Sequence, residues 1–185
     1  MATAHAPDWL AGGDRRELAV RRLVGSAREL LVERGVEKFS AEAVAARAGC
    51  SRATLYRYVG GRTALIDAVV AEAAATVAER VEREVHGLRG SERVVEAILA
   101  SVLAIRADRT LQEWFLGRRT ARSDEYFSRS GAMAQLATRL TGMAQDHPHG
   151  GDWVVRVVLS LLAWPGQDPD VERDLVVTYV APAFA

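Results

Sequence analysis

The sequence predicts an all-α protein of about nine helices. Capping residues followed by apolar residues three and four positions apart recur along the 185 residues. Strict alternation of apolar and polar residues is rare, and the chain contains no Asn-Gly or Asp-Gly hairpin turn. Glycine or proline separates most of the helical segments. These observations favour helices packed on helices over any fold built on a sheet.

The composition excludes several classes of protein. A hydrophobic fraction of 49% with a net charge of zero excludes disorder for most of the chain, and one cysteine excludes a disulfide framework or a multi-cysteine zinc site. The longest apolar run, 157–164, is too short to cross a bilayer, and the first residues lack the pattern of a signal peptide. We therefore expect a cytoplasmic protein without a membrane partner. Zero net charge, taken alone, also argues against nucleic acid.

The first predicted helix follows a disordered tail, residues 1–13. Asp14 can cap this helix, and Glu17 three residues later completes a capping box. Gly35 ends it. Its apolar stripe consists of Leu23, Ala27, Leu30 and Leu31.

Two short helices follow. Ser40 can cap a helix that runs through Arg47 and is ended by Gly49. Ser51 can cap another that runs to about Tyr58, before a pair of glycines.

Six further helices are predicted, the first of them long and rich in alanine and glutamate. Most are delimited by a capping residue, by glycine or by proline, and the last has Asp168 as its cap with Pro169 at its first position. They are predicted over 62–86, 91–106, 109–119, 123–146, 152–164 and from 168 onward. We predict a first domain over 14–62 and a second helical domain over 63–185.

Charge is divided unevenly along the chain. Residues 15–62 carry eleven basic and five acidic side chains, a balance of +6, whereas residues 63–185 have a balance of −4. The first fourteen residues contribute the remaining −2. The basic segment is either an ordinary solvated helical surface or a surface that attracts polyanions.

The segment 40–65 predicts a helix-turn-helix. Val44, Ala48 and Leu55 can form the core that its two helices share, and Ala45 is small enough for a close crossing. Gly49 stands where the tight turn needs a permissive backbone.

The second helix of such a unit places its N-terminal end in the DNA major groove. Here that end reads Ser51, Arg52, Ala53 and Thr54. Arg52 can pair with guanine through two hydrogen bonds, and Thr54 can contact a base edge or a methyl group. Ala53 is small enough to let the helix approach the bases.

The run from about Leu18 to Val70 resembles the DNA-binding domain of the TetR family of transcriptional regulators. The matching features are a helix that ends in ERG, the string VAARAGCSRATLYRY, and then a basic residue with Leu three positions later. Val59 stands where the family usually has Phe, and Arg62 where it usually has Lys. Neither departure removes the charge that a phosphate contact needs.

The resemblance implies roles for individual residues. Tyr56, Tyr58 and Arg62 would contact phosphates, and Ser40 would dock a phosphate at the start of its helix. Tyr58 is alternatively a packing residue, and Arg47 is either a phosphate contact or a solvated charge. The predicted DNA-binding residues are Ser40, Arg47, Ser51, Arg52, Ala53, Thr54, Tyr56, Tyr58 and Arg62.

The resemblance also implies a homodimer formed by the C-terminal helices. The segment 152–164 is apolar around nearly its whole circumference, so it must be buried on several sides. It either meets a second subunit together with the final helix or is a core helix within one chain. The predicted dimer residues are Trp153, Val157, Leu161, Trp164, Val176, Tyr179 and Val180.

A small-molecule effector is the third implication of the resemblance. Aromatic and flexible apolar side chains concentrate in the middle helices, where they either line a cavity for an apolar or amphipathic ligand or form ordinary core. The predicted ligand-binding residues are Leu103, Leu111, Trp114, Phe115, Tyr126, Phe127, Met133, Leu136 and Met143.

The predicted function is a dimeric repressor that leaves a palindromic double-stranded DNA operator when its ligand binds. The alternative is a helix-turn-helix regulator without a small-molecule effector, controlled by a protein partner. We expect no enzyme, because the chain has no Gly-rich phosphate loop, no GxSxG and no HExxH. We expect no cofactor and no metal either, since His147 and His149 lie in a Pro/Gly turn. Cys50 is interpreted as a small packing residue rather than a redox switch.

Overall fold

Nine α-helices and one short 3₁₀ helix account for most of the residues that the computed structural model describes, namely 9–117, 131–143 and 149–184. No strand occurs in these ranges, and the predicted all-α class is confirmed. The α-helices are α1 (Trp9–Arg34), α2 (Ala41–Ala48), α3 (Arg52–Val59), α4 (Arg62–Glu84), α5 (Gly90–Ala107), α6 (Arg109–Gly117), α7 (Gly131–Thr141), α8 (Gly150–Ala163) and α9 (Pro169–Tyr179). The 3₁₀ helix is Ala181–Phe184.

The chain divides into two compact units, Met1–Ala71 and Glu72–Ala185. Helix α4 belongs to both, because the division falls within it. The domain limits predicted from the sequence, at residues 14, 62 and 63, stay predictions.

The first unit is held together by α1, α2 and α3, which pack on one another. Val44 of α2 and Leu55 of α3 are fully buried, and Ala45 and Ala48 are nearly so. The predicted core of the helix-turn-helix is therefore confirmed. The apolar stripe of α1 is buried as well, through Leu23, Ala27, Leu30 and Leu31.

Local capping fixes the turn between α2 and α3. The hydroxyl of Ser40 accepts a hydrogen bond from the backbone N–H of Ala43, and Gly49 ends α2 in the left-handed conformation with φ of 71°. The N–H of Cys50 then reaches back to the carbonyl of Ala45 at 2.9 Å. A residue with a Cβ is strained at such a φ, which is why glycine is needed here.

The second unit has two apolar clusters. Helices α5, α8 and α9 build the larger one together with Ala137 of α7, and the end of α4 packs with α5 and α7 in the smaller one. The larger cluster contains Val94, Val95, Ile98, Val102, Ala137, Val154, Val158, Leu161, Val176 and Val180. The smaller contains Ala78, Val81, Val85, Ala97 and Leu140.

Helix α1 begins at Trp9, whereas the sequence predicted its start at the Asp14 cap. A capping residue favours a start but does not prevent extension, because each residue added to an existing helix gains a backbone hydrogen bond. Residues 9–13 of the predicted tail are thus helical, and residues 1–8 lie outside the described part of the chain.

The ends of α7 and α8 also differ from the prediction. Helix α7 ends at Thr141 because Gly142 adopts a φ of 65°, and the predicted continuation over 144–146 lies outside the described residues, as does the predicted start at 123. Helix α8 starts at Gly150, so that Asp152 lies within it rather than capping it. A Cβ at Gly151 would overlap the carbonyl of Ala134, and this glycine therefore belongs to the close packing of α8 on α7.

Candidate nucleic-acid interface

The first turn of α3 is exposed and fixed by its own cap. The hydroxyl of Ser51 accepts a hydrogen bond from the N–H of Thr54 at 3.1 Å and lies 2.9 Å from the Thr54 hydroxyl. Arg52 and Ala53 are exposed, whereas Leu55 points into the core. The end of the helix that is predicted to read bases is therefore presented outward on a buried apolar anchor.

Arg52 is held on two sides. Its Nη1 lies 2.8 Å from an Oε1 of Glu42 in α2, and its Nη2 donates a hydrogen bond of 3.4 Å to the hydroxyl of Tyr56. The guanidinium also lies over the Tyr56 ring, 5.3 Å from its centroid. The hydrogen bond to Tyr56, and next the charge of Glu42, raise the pKa of Arg52. The arginine thus has a defined direction before any DNA arrives.

Gly61 leaves the space that the ring of Tyr56 occupies. The Tyr56 ring packs so closely on Gly61 that a Cβ there would lie 2.8 Å from ring atom Cε1. Gly61 also has a φ of 109°, which other residues rarely adopt. With 44% of Tyr56 exposed, its hydroxyl remains accessible beside Arg52.

Tyr58 is flanked by two arginines, and the phosphate contact predicted for it stays a prediction. It is half-buried, and two cations lie over its ring: Arg57 at 5.2 Å and Arg16 of α1 at 5.6 Å from the centroid. Such contacts are cation–π interactions, and they bring positive charge from α1 next to α3.

The second predicted phosphate site lies at the start of α2. Ser40 caps that helix by accepting a hydrogen bond from the N–H of Ala43, and the first turn of a helix is where backbone N–H groups can bind an anion. Arg47, at the other end of α2, forms a two-pronged ion pair with Glu33 of α1 at 2.6 and 2.9 Å and lies 3.6 Å from Glu29. The hydrogen bonds raise the pKa of Arg47 and lower that of Glu33. Arg47 is thus paired with carboxylates of α1 rather than simply solvated, and its other expected role, a phosphate contact, stays a prediction.

Arg62 stands at the first position of α4, and its guanidinium is turned into the protein. Its Nε donates to the carbonyl of Phe39 at 3.0 Å, and its Nη2 donates to the carbonyl of Val36 at 2.6 Å. The guanidinium also lies over the Phe39 ring, 5.9 Å from its centroid.

Comparisons with known proteins agree with this geometry. Residues 23–69, which contain the helix-turn-helix, match the family described as bacterial regulatory proteins, tetR family. A protein of Mycobacterium tuberculosis strain CDC 1551, described as an uncharacterized HTH-type transcriptional regulator, is 33% identical over 181 residues. The match spans 95% of this chain and 89% of the relative. The chain belongs to the TetR family.

Two solved TetR repressors share the fold. AlkX from Dietzia sp., implicated in biodegradation of n-alkanes, has a TM-score of 0.64 at 19% identity, covering 89% of this chain and 94% of its own. QsdR from R. erythropolis has a TM-score of 0.58 at 20% identity, covering 88% and 94%. The chain is thus a TetR-family transcriptional regulator with a DNA-binding helix-turn-helix, and the prediction that it is not an enzyme is confirmed.

The structure divides the residues predicted for the TetR dimer interface into two groups. Trp153, Trp164 and Tyr179 are exposed, Trp164 and Tyr179 to 76% and 75%. The other four contribute to the core of their own chain: Leu161, Val176 and Val180 belong to the larger apolar cluster, and Val157 packs against it. Leu161, Val176 and Val180 are buried within their own chain, where α8 and α9 pack against α5, and the intermolecular contact predicted for them stays a prediction.

The predicted effector residues lie in several environments. Leu111 and Trp114 are buried, and Met133, Leu136 and Met143 are partly buried. Leu103 is 61% exposed, because α5 turns its neighbours Val102 and Ala104 to the core instead. The Phe115 side chain, Tyr126 and Phe127 lie outside the described residues.

A groove of about 360 Å³ lies between α7 and α8, and none of the predicted effector residues lines it. Its walls are Ala134, Gln135, Thr138, Arg139, Gly151 and Asp152. Within the described ranges no helix is long and apolar enough to cross a membrane, and no group of three acidic, histidine or cysteine side chains could hold a metal ion.

The sequence did not single out Glu42, although its carboxylate pairs with Arg52, the arginine that is predicted to read bases. The available signal was an acidic residue in the first turn of α2 and an arginine in the first turn of α3. Pairing across two helices is a tertiary fact that local spacing does not reveal. The ion pair between Arg106 and Glu172 in the second unit was missed for the same reason.

Proposed function

We propose that this TetR-family protein is a homodimeric repressor whose α3 reads a palindromic operator in the major groove. Arg52 and Thr54 contact base edges, and Ala53 lets the helix approach closely. The observation that carries this proposal is the pre-directed Arg52, held by Glu42 and Tyr56 on an exposed first turn. A guanidinium that is already oriented loses less conformational freedom when it pairs with guanine.

The phosphate contacts of the proposal flank α3. Tyr56 and Tyr58 lie along that helix, and the amide groups of α2 behind Ser40 offer a second anion site. Ser51 contributes as the cap that holds the first turn of α3. Arg47 contributes indirectly, because its ion pair with Glu33 fastens α2 to α1.

Selection of bound duplexes from a random pool tests the DNA proposal. We expect a palindrome with half-sites about 34–36 Å apart, or a multiple of that spacing. Arg52→Ala should relax the preference at one base pair in each half-site by about 1–3 kcal/mol, while Tyr56→Phe should weaken all sequences alike. A selected DNA site without two-fold symmetry would contradict the proposal that a dimer presents two recognition helices.

The proposed dimer forms through α8 and α9. Trp153, Ser160 and Trp164 recur seven and four residues apart along one side of α8, and Val171, Leu175 and Tyr179 recur every four along α9. All six are exposed in the single chain, which leaves a large apolar surface for a second copy.

The oligomeric state tests this surface. Sedimentation of the full chain should give a dimer, and Trp164→Lys combined with Tyr179→Lys should give a monomer, because burying two ammonium groups without partners is costly. Leu18→Lys, which alters an exposed leucine of α1, serves as the control and should remain dimeric. A dimeric double variant would refute the assignment of α8 and α9.

The proposed effector is an apolar or amphipathic small molecule bound in the second unit, near Leu111, Trp114, Met133, Leu136 and Met143. Its binding releases the operator only if it prefers the DNA-incompetent state. A thermal-shift screen of metabolites and lipids, followed by operator release, tests the proposal.

Trp114 offers a sharper measurement. It is buried, so a ligand beside it should change its fluorescence, and Trp114→Phe should remove that part of the change. A screen without stabilising compounds would favour the alternative, a regulator controlled by a protein partner.

A further inference from the structure

Arg62 makes three contacts with the short link that joins α1 to α2. Two are hydrogen bonds to backbone carbonyls, 3.0 Å to Phe39 and 2.6 Å to Val36, and the third is the cation–π contact with the Phe39 ring. Phe39 itself is buried. Arg62, the first residue of α4, thus binds both ends of a link that is only a few residues long.

The link determines where α2 begins. Phe39 directly precedes Ser40, the cap of α2, and the carbonyl of Val36 lies just after the end of α1. The carbonyls of Val36 and Phe39 lie in the link, outside the hydrogen-bond ladders of both helices. Arg62 donates to both, and the N–H of Phe39 also donates to the carbonyl of Val36 at 3.4 Å. A planar guanidinium can serve two carbonyls at once with fixed geometry, whereas a lysine ammonium has no such fork.

We propose that Arg62 is a positioning residue that fastens the first turn of α4 to the α1–α2 link. Any change in the direction of α4 then moves the start of α2, where the proposed phosphate site lies. This inference rests on the proposed function and names a route by which α4 regulates it. It departs from the role that the TetR resemblance implies for Arg62, which is direct binding of a phosphate.

The two roles differ in their salt dependence. A phosphate contact contributes about 0.9 to the slope of log affinity against log salt, and a lysine at the same place retains most of that contribution. A positioning contact contributes nothing to the slope of log affinity against log salt. A lysine cannot replace it, because an ammonium group lacks the planar fork of donors with which the Arg62 guanidinium binds two carbonyls. Arg62→Lys is therefore the informative variant.

The experiment uses the full chain and a duplex that the wild type selects from a random pool. Anisotropy titrations at several salt concentrations compare wild type, Arg62→Lys and Arg62→Ala. Arg80→Lys, in an exposed position of the same helix, is the matched control. Hydrogen exchange of the amides from 36 to 43 is measured on the same proteins without DNA.

Under the proposal, Arg62→Lys binds about tenfold more weakly at every salt concentration, as expected from a lost charge-assisted contact. Its salt slope equals that of the wild type, and its link amides exchange faster. Arg62→Ala behaves in the same way, and Arg80→Lys matches the wild type in every measurement. Arg62→Gln, which keeps one amide donor, replaces either variant should it fail to fold.

Two results would overturn the proposal. One is near-wild-type affinity for Arg62→Lys together with a slope lowered by about one in Arg62→Ala, the pattern of a phosphate ligand. The other is unchanged exchange of the link amides in both variants. If the wild type selects no duplex, the proposed function fails, and the exchange comparison still decides the role of Arg62.

Discussion

Replacing Glu172 by glutamine should destabilise the second unit through one buried ion pair. Glu172 is only 4% exposed, and both of its oxygens accept from Arg106, at 2.7 and 2.8 Å. The N–H of Gly166 donates a third hydrogen bond to it at 2.9 Å, and Arg106 also donates to the carbonyl of Leu161. The cluster therefore ties α5 to the turn between α8 and α9.

The magnitude follows from the exposure of the two partners. Removing one member of a buried pair costs about 3–5 kcal/mol, because the other charge stays behind uncompensated. The side chain of Arg106 is 36% exposed, so that water solvates part of its charge, and the glutamine oxygen can still accept from Gly166. We expect a loss of about 2–3 kcal/mol, which lowers the Tm of a chain of this length by roughly 4–12 °C.

Thermal unfolding followed by circular dichroism at pH 7 measures the effect. Asp174→Asn, which neutralises an exposed carboxylate on the same helix, is the control and should melt within about one degree of wild type. A Glu172→Gln protein that melts like the control would refute the assignment of stability to this pair. In a double-mutant cycle, Arg106→Gln should cost little more in the Glu172→Gln background.

The same pair predicts a pH dependence. The hydrogen bonds from Arg106 lower the pKa of Glu172 below its ordinary value of 4.5, and the hydrogen bond from Gly166 lowers it to a smaller extent. A carboxyl whose pKa is lower in the folded state stabilises the fold above its unfolded pKa, and this stabilisation is lost as the pH falls through the folded value. Below pH 4.5 the Tm gap between wild type and Glu172→Gln should therefore narrow. A constant gap between pH 7 and pH 3 would contradict the pKa shift.

Two further predictions concern packing and recognition. Gly151→Ala should reduce the free energy of unfolding by about 1–3 kcal/mol or more and lower the Tm, because the added Cβ would overlap the carbonyl of Ala134 and the hydroxyl of Thr138. An unchanged Tm would show that α7 and α8 are not so close. Glu42→Gln should release Arg52 and reduce discrimination between the selected operator and a single-base variant in competition titrations, with unchanged Tm. Equal discrimination by both proteins would exclude a directing role for Glu42.

Local chemistry made much of the fold predictable. Ser40, Ser51 and Asp168 cap helices as predicted, since a capping hydroxyl or carboxylate acts on amides within three residues of itself. Gly49 ends α2 for an equally local reason. Gly151 was predicted to lie just before the helix 152–164, but it lies within α8, where it allows the close approach of α7. A contact with another helix leaves no local pattern in the sequence.

The faces of α8 and α9 were harder to assign. A helix that is apolar on all sides, as α8 is, gives no periodic signal to separate the side that meets its own core from the side left outside. Leu161 and Trp164 are three residues apart and look alike in the sequence, yet one is buried in the chain and the other is exposed. Only the positions of α5 and α9 decide between them.

The arginines of the basic segment show why charge counts alone do not locate an interface. Arg47 is bound by the carboxylate of Glu33, Arg52 is steered by Glu42, and Arg62 serves backbone carbonyls. An arginine whose charge is neutralised by a carboxylate releases no counterion when DNA binds, unless DNA breaks the pair. The salt slope of operator binding should therefore fall short of the number of basic residues in the segment. Under the proposed function, the net charge of +6 attracts the DNA at a distance, and a few directed side chains on α3 determine which sequence is bound.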